Sequence, residues 1–342
     1  MVKRFLKNWW NGIKFDPGDP RYLAGGEIKI AVIGGGTGLA TLLRGLKKYS
    51  NQITAIVTVT DSGASTGRLR KEFDMLAPGD IRKCISALAY DEGLISHIFE
   101  YRFSGEKNAL GGHTLGNIWI TALTEYLGSF DKAIEATTEL FQTAGRVVPA
   151  TLANVDLVIK YADGTVLEGE SNLDEIVGKK IRCIQLNKKE AKAYHKAAQS
   201  LRDADLIVAG PGSLYGSIIP NLLIAGIRQA IAVNEKALKV YIVNCSTERT
   251  QTAGYSVEDH IAALVGNTGG NIFDYCLVNN KIISRSKDEH KLGEINNITT
   301  DKTEILGHRI ILSDLIDGEK PLYHDSEKLA KSLINLYNSV RR

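Results

Sequence analysis

Ile30-Ala31-Val32-Ile33 runs straight into Gly34-Gly35-Gly36-Thr37-Gly38, and Val57-Thr58-Val59-Thr60 into Asp61-Ser62-Gly63-Ala64-Ser65-Thr66-Gly67-Arg68. An apolar, β-branched run is what a buried parallel strand requires, and ligands bind at the carboxyl ends of such strands. Gly35, Gly36, Thr37 and Gly38 let backbone amides approach a ligand, and a helix opening near Thr37 favours an anion. In the second run Ser62, Ser65 and Thr66 offer hydroxyls, Gly67 offers close approach, and the Arg68 guanidinium can pair bidentately with phosphate. Asp61 can accept from a ribose or base, hold Mg²⁺ through phosphate oxygens, or cap the segment that follows.

Three further clusters have the same character. Pro78-Gly79-Asp80-Ile81-Arg82 puts Asp80 at a helix start, where capping and function are equally natural roles. Gly111-Gly112-His113-Thr114-Leu115-Gly116-Asn117 opens another helix, with His113 able to touch phosphate or act as acid or base and Asn117 one turn later. Gly210-Pro211-Gly212-Ser213-Leu214-Tyr215-Gly216-Ser217 follows another apolar run. There Gly212 and Ser213 can present an amide and a hydroxyl, and Tyr215 can stack on a ring or sit in the core. Asp61, Asp80 and His113 are the candidates for catalysis, if there is any.

The nicotinamide-dinucleotide fingerprint fails. Counted from Gly34, its third glycine position holds Leu39; counted from Gly36, it holds Thr41. Asp61 stands 27 residues beyond Gly34, where about 20 is usual for the ribose acid. No Gly-Lys-Ser/Thr follows either, so this is not a P-loop.

The elements that would carry these loops alternate. Strands are expected at 28–33, 53–59, 206–209, 240–243 and 273–278. Helices are expected at 39–48, 94–101, 115–127, 130–141, 188–200, 222–232, 257–265 and 327–340. The pattern predicts a Rossmann-like three-layer α/β fold with a mostly parallel central sheet. Ala162-Asp163-Gly164, flanked by alternating runs, predicts an inserted β-hairpin region. No linker breaks the chain after residue 27, so residues 28–342 are expected to form a single α/β domain.

The 342-residue chain carries a net charge of +3, too small to argue for nucleic acid. Cys84, Cys183, Cys245 and Cys276 form no Cys-x-x-Cys pair, which disfavours zinc and suits a reducing cytoplasm. No run approaches a membrane-spanning length. Residues 1–27 form a basic, aromatic arm containing Trp9-Trp10. Such an arm can pack on its own domain or make a weak interfacial membrane contact.

Gly34–Gly38, Thr60–Arg68, Pro78–Arg82, Gly112–Asn117, Gly145–Thr151 and Gly210–Asn221, in this order, resemble the 2-phospho-L-lactate transferase (CofD) family, and within it the gluconeogenesis-factor branch. The resemblance implies a Rossmann-like fold, often a homodimer. The transferase branch moves a phospholactyl group from a guanosine diphosphate adduct to a deazaflavin with Mg²⁺, for which Asp61 is the candidate ligand here. The gluconeogenesis-factor branch implies a UDP-sugar ligand, and a link to cell-wall precursor supply and cell shape on non-glycolytic carbon. This chain departs from the branch pattern in three places. Thr250-Gln251-Thr252-Ala253-Gly254-Tyr255 replaces Thr-Gln-Pro-Gly-Glu-Thr. Tyr215-Gly216-Ser217 replaces Tyr-Thr-Ser, and Tyr323-His324-Asp325 replaces Arg-His-Asp. A phosphate held by that arginine must here meet another base or be held more weakly. The two readings are a nucleotide-sugar-responsive regulator and a phosphoryl-group transferase.

Overall fold

The computed structural model describes residues 28–90, 93–105, 108–282 and 295–341; the basic, aromatic arm lies outside them. The strands are β1 (Ile30–Gly34), β2 (Ile53–Val57), β3 (Gly145–Pro149), β4 (Leu157–Tyr161), β5 (Val166–Glu168), β6 (Ile181–Leu186), β7 (Leu206–Ala209), β8 (Leu238–Ile242), β9 (Tyr275–Asn279), β10 (Glu304–Ile305) and β11 (His308–Ser313). Eight of them form one sheet in the order β10-β11-β9-β8-β7-β1-β2-β3. Every pairing in it is parallel except β10 with β11. The five residues of β1 are all buried, as expected of a central strand covered on both faces.

Helix α1 (Gly36–Leu46) joins β1 to β2. Then α2 (Ala64–Phe73), α3 (Gly79–Leu88), α4 (Leu94–Glu100), α5 (Leu115–Leu127) and α6 (Phe130–Leu140) lead to β3. The chain continues through α7 (Asn172–Glu175), α8 (His195–Asp203), a π turn at Leu214–Ile218, α9 (Ile219–Leu223), α10 (Ile227–Val233), α11 (Val257–Thr268) and α12 (Ser326–Val340). Leu39, Leu42, Leu43 and Leu46 are fully buried on α1, which packs between α3 and α12. The three-layer α/β architecture is the one the alternation of elements predicts.

The insertion is larger than a hairpin. β4 pairs antiparallel with β5 across the Asp163-Gly164 turn and with β6 on its other edge, giving a separate three-stranded sheet. Other boundaries differ from the sequence pattern for identifiable reasons. The helix expected at 188–200 begins only at His195, because the backbone before it is used elsewhere: Lys192 bridges Ala225, and the Tyr194 amide donates to the Ala150 carbonyl. The helix expected at 222–232 is broken before Gly226, whose φ of +97° is left-handed. The pattern does not predict β3, β11 or α2. Ser65, Thr66 and Gly67 are weak helix formers, and α2 is held instead by burial of that face.

Candidate functional site

Strand order reverses between β1 and β7: the chain grows outward to β2 and β3 on one side, then returns to build β7, β8, β9 and β11 on the other. Such a switch point leaves a crevice at the carboxyl ends of the two strands. A cleft of about 570 Å³ lies there, lined by Gly35–Gly38 after β1, Pro211–Ser213 after β7 and Asn244–Gln251 after β8. The opening is therefore beside β7, and not between the loops after β1 and β2 as the first two strands alone suggest.

Gly36 and Thr37 form the first turn of α1. Gly35 precedes them in a fully extended conformation with no side chain to cap the helix. The first-turn amides of a helix have no intrahelical acceptor, and the helix dipole favours an anion there. Gly38 serves a second purpose: a Cβ on it would lie 2.8 Å from the Pro211 carbonyl oxygen, so its bare backbone lets the two loops touch. The Gly210–Tyr215 loop is otherwise engaged. The Gly212 amide donates to Asn244 Oδ1 (3.1 Å), and the Ser213 hydroxyl donates to Gln251 Oε1 (2.6 Å) and accepts from the Gly216 amide. Tyr215 is buried, with its hydroxyl 2.9 Å from that of Tyr255. It is a core tyrosine and does not present its ring to the cleft.

The loop after β2 and the start of α3 stand behind the Gly35–Gly38 turn. A Cβ on Gly35 would be 2.5 Å from Asp80 Oδ2, and one on Gly79 would be 2.8 Å from Asp61 Oδ2. The first contact sets Asp80 against the floor of the turn, and the second sets Asp61, with Thr66, against Gly79 just before it. Asp80 is paired with Lys83 Nζ at 3.0 Å. Burial, and then the Asp80 charge, holds the Asp61 carboxyl above its usual range, against the lowering effect of the Gly63 amide. Asp61 Oδ1 accepts from that amide at 2.9 Å, so the capping role is realised in part. Among the described residues no group of three or more His, Cys, Asp or Glu is arranged to hold a metal. Mg²⁺ commonly takes one or two carboxylates and completes its shell with phosphate oxygens and water. Asp61 and Asp80 are the pair that would hold it, and it would neutralise phosphate charge.

The Gly112–Asn117 cluster lies off the cleft, across α2. Ser65 Oγ is 2.9 Å from His113 Nδ1 and accepts from Asn117 Nδ2 at 3.1 Å. Asn117 Oδ1 accepts from Arg82 Nε, and Arg82 pairs with Glu100. His113 is only 5% exposed. Burial, and then the Arg68 charge, keeps its imidazole below the usual value and hence neutral. Arg68 itself is exposed, with Nη2 on the Gly111 carbonyl at 2.5 Å. Gly67 lets α2 fold back on the Ser62 carbonyl. Of the predicted residues, Gly35, Gly36, Thr37, Gly38, Gly212 and Ser213 line the cleft. Asp80 abuts it from behind at Gly35, Asp61 and Thr66 pack on Gly79 beside Asp80, and Ser65, Arg68, Gly112, His113 and Asn117 form a second cluster.

A family model for 2-phospho-L-lactate transferase CofD matches residues 30–316. The chain belongs to the CofD family. Within it the similarity is to the gluconeogenesis-factor branch. The gluconeogenesis factor of Bacillus subtilis is 38% identical over 316 residues, 91% of this chain and 99% of that one. A relative from Nostoc sp., provisionally so named, is 44% identical over 320 residues, 91% of this chain and 69% of its own length. A crystal structure of a Bacillus halodurans protein superposes with a TM-score of 0.85 at 37% identity, covering 90% of this chain and all of that one. No helix among the described residues is long and apolar enough to cross a membrane.

In this CofD-family chain the cleft also holds residues that the motifs do not single out. Glu170 follows β5, and Glu248 follows β8. Burial, then the Asp61 and Asp174 charges, pushes the Glu170 carboxyl up to about 8. Burial, then Asp174, pushes Glu248 up to about 7. Glu248 was open to discovery by the rule applied to β1 and β7, since it stands in the loop at the carboxyl end of a recognised strand. Glu170 was not, because its approach to the cleft depends on where the inserted sheet folds back. Arg70 and Ser62 hold that fold: buried Arg70 donates to the Thr60 and Asp61 carbonyls and to Asn154, Val155 and Asp156, and Ser62 Oγ accepts from the Ser171 amide, tying the loop after β2 to the insertion. Where the branch pattern has Arg-His-Asp, Tyr323 is exposed, His324 is buried, and Asp325 caps α12 by accepting from the Glu327 and Lys328 amides.

Proposed function

We propose that this protein is a gluconeogenesis factor that binds a UDP-sugar in the β1–β7 cleft and acts as a regulator. The observation that carries the reading is the uncapped first turn of α1, opening at the switch point into a cleft of about 570 Å³. That volume suits a nucleotide-sized ligand, and the helix terminus suits its phosphates. Membership of the gluconeogenesis-factor branch supports the UDP-sugar as ligand and a role in cell-wall precursor supply and cell shape on non-glycolytic carbon.

Thermal unfolding with UDP-N-acetylglucosamine, UDP-glucose, or GDP plus Mg²⁺, each added alone, tests this. A ligand at 100 times its dissociation constant adds about 2.7 kcal/mol, enough to raise the midpoint by a few degrees. The expected result is a rise with a UDP-sugar in the absence of metal; no rise with either UDP-sugar overturns the reading. The neighbouring carboxylates Asp61 and Asp80, the second set against Gly35, favour one alternative, a 2-phospholactate-type transferase acting on a nucleoside diphosphate adduct. That reading requires a response to GDP that depends on Mg²⁺ and is lost in Asp61→Asn.

A further inference from the structure

Two side chains in the cleft wall carry shielded polar atoms without hydrogen-bond partners. His324 is 8% exposed, and neither Nδ1 nor Nε2 has a partner. Glu248 Oε2 is shielded from solvent and also lacks one. Both residues line the cleft that Gly35–Gly38 opens into. Buried polar atoms in folded proteins are almost always satisfied, so the orphans of His324 and Glu248, which both line this cleft, are groups that a ligand can complete.

The chemistry of the two walls differs. One presents helix-terminus amides, which suit phosphate. The other presents the carboxyls of Glu170, Asp174 and Glu248 and the imidazole of His324, with Arg249 beside Glu248, and carboxyl and imidazole groups hydrogen-bond readily to hydroxyls. Resting on the reading above, we propose that Glu248 and His324 form the subsite for the neutral, hydroxyl-bearing glycosyl half of the ligand, and not for its diphosphate. Burial, opposed by Asp325, brings the imidazole down to about 4, so His324 is neutral at pH 7. A neutral imidazole offers one N–H donor and one acceptor, matching a hydroxyl that can both give and take a proton in a hydrogen bond. With Glu248 up at about 7, its carboxyl can also donate or accept there.

Calorimetric titration of UDP-N-acetylglucosamine and of UDP into the full chain separates the two halves of the ligand. Glu248→Gln and His324→Leu keep side-chain bulk and remove the hydrogen-bonding groups. Each is expected to weaken UDP-N-acetylglucosamine about ten-fold while leaving UDP within about two-fold. In the wild type, the ring-nitrogen NMR signals of His324 are expected to move with UDP-N-acetylglucosamine and to stay in place with UDP. That readout does not depend on how well the variants fold. Equal losses for both ligands, or no loss for either with unmoved ring signals, overturn the subsite and leave the binding cleft standing. Failure of the wild type to bind either ligand overturns both.

Discussion

Asn221 Nδ2 donates to the Gly34 carbonyl at 3.0 Å, across 187 residues of sequence, and to the Ser217 carbonyl at 2.6 Å. Asn221 is fully buried, and the Gly34 carbonyl also takes the Thr58 amide. One amide side chain thus locks the loop after β7 to the end of β1 and sets the mouth of the cleft. Asn221→Ala is expected to lower stability by about 2 kcal/mol, through the lost bonds and the void. Urea denaturation measures it, and an unchanged midpoint would show that the loops are held by other means.

Gly38 makes a sharper test of loop contact. A Cβ there meets the Pro211 carbonyl oxygen at 2.8 Å, its carbon at 2.9 Å and the Gly212 nitrogen at 3.0 Å, all backbone atoms that cannot rotate aside. Gly38→Ala is expected to cost about 1–3 kcal/mol as the two loops separate. Gly266→Ala is the internal control. It sits exposed within α11 with nothing within 4 Å of its Cβ position. Alanine there is expected to stabilise by about 0.5–1 kcal/mol. Opposite signs in thermal melts would confirm that Gly38 is required for packing; matching signs would refute it.

These contacts explain which parts of the site could be read from the chain. Apolar runs ending in glycine locate β1 and β7 and therefore the cleft, because strand burial and strand ends leave local marks. A glycine that admits a ligand and one that admits another loop look alike in sequence, so Gly38 and Gly67 carry an ambiguous signal that only the Pro211 and Ser62 backbones resolve. Hydroxyls are equally ambiguous. Ser213 and Ser65 are expected from their loops to face an anion, yet their hydroxyls are used on Gln251 and on His113 with Asn117. Glu170 reaches the cleft because the insertion folds back on the loop after β2, where Arg70 bonds to Asn154–Asp156 and the Ser171 amide donates to Ser62 Oγ, contacts between distant residues that no local pattern encodes.

The His113 network separates a structural role from a ligand contact. His113, Ser65, Asn117 and Arg82 satisfy one another beneath α2, away from the cleft. His113→Ala is expected to cost about 1–3 kcal/mol of stability by stranding the Ser65 hydroxyl. UDP-sugar affinity of the folded variant should stay within about two-fold. A ten-fold loss of affinity without loss of stability would return His113 to the binding surface.

Glu170 governs how stability depends on pH. Its carboxyl ordinarily titrates near 4.5 and is pushed up to about 8 in the fold by burial and by Asp61 and Asp174. Between those values the folded state holds a proton that the unfolded chain has released, so stability falls as pH rises from about 4.5 to about 8. Glu248, up at about 7, adds to the fall in the same direction over the lower part of the window. Moving a carboxyl's titration by one pH unit on folding is worth about 1.4 kcal/mol. Because Glu170 faces a partly solvated cleft, water screens much of that effect, and a fall of about 2 kcal/mol is expected. Glu170→Gln removes the titrating group while keeping its shape. The variant should match the wild type at pH 5 and exceed its stability at pH 8.5, measured by urea denaturation at each pH. A variant less stable than wild type at pH 8.5 would mean that Glu170 is held as a stabilised carboxylate, with Ser62 and its neighbours supplying more than the amide contact at 3.4 Å.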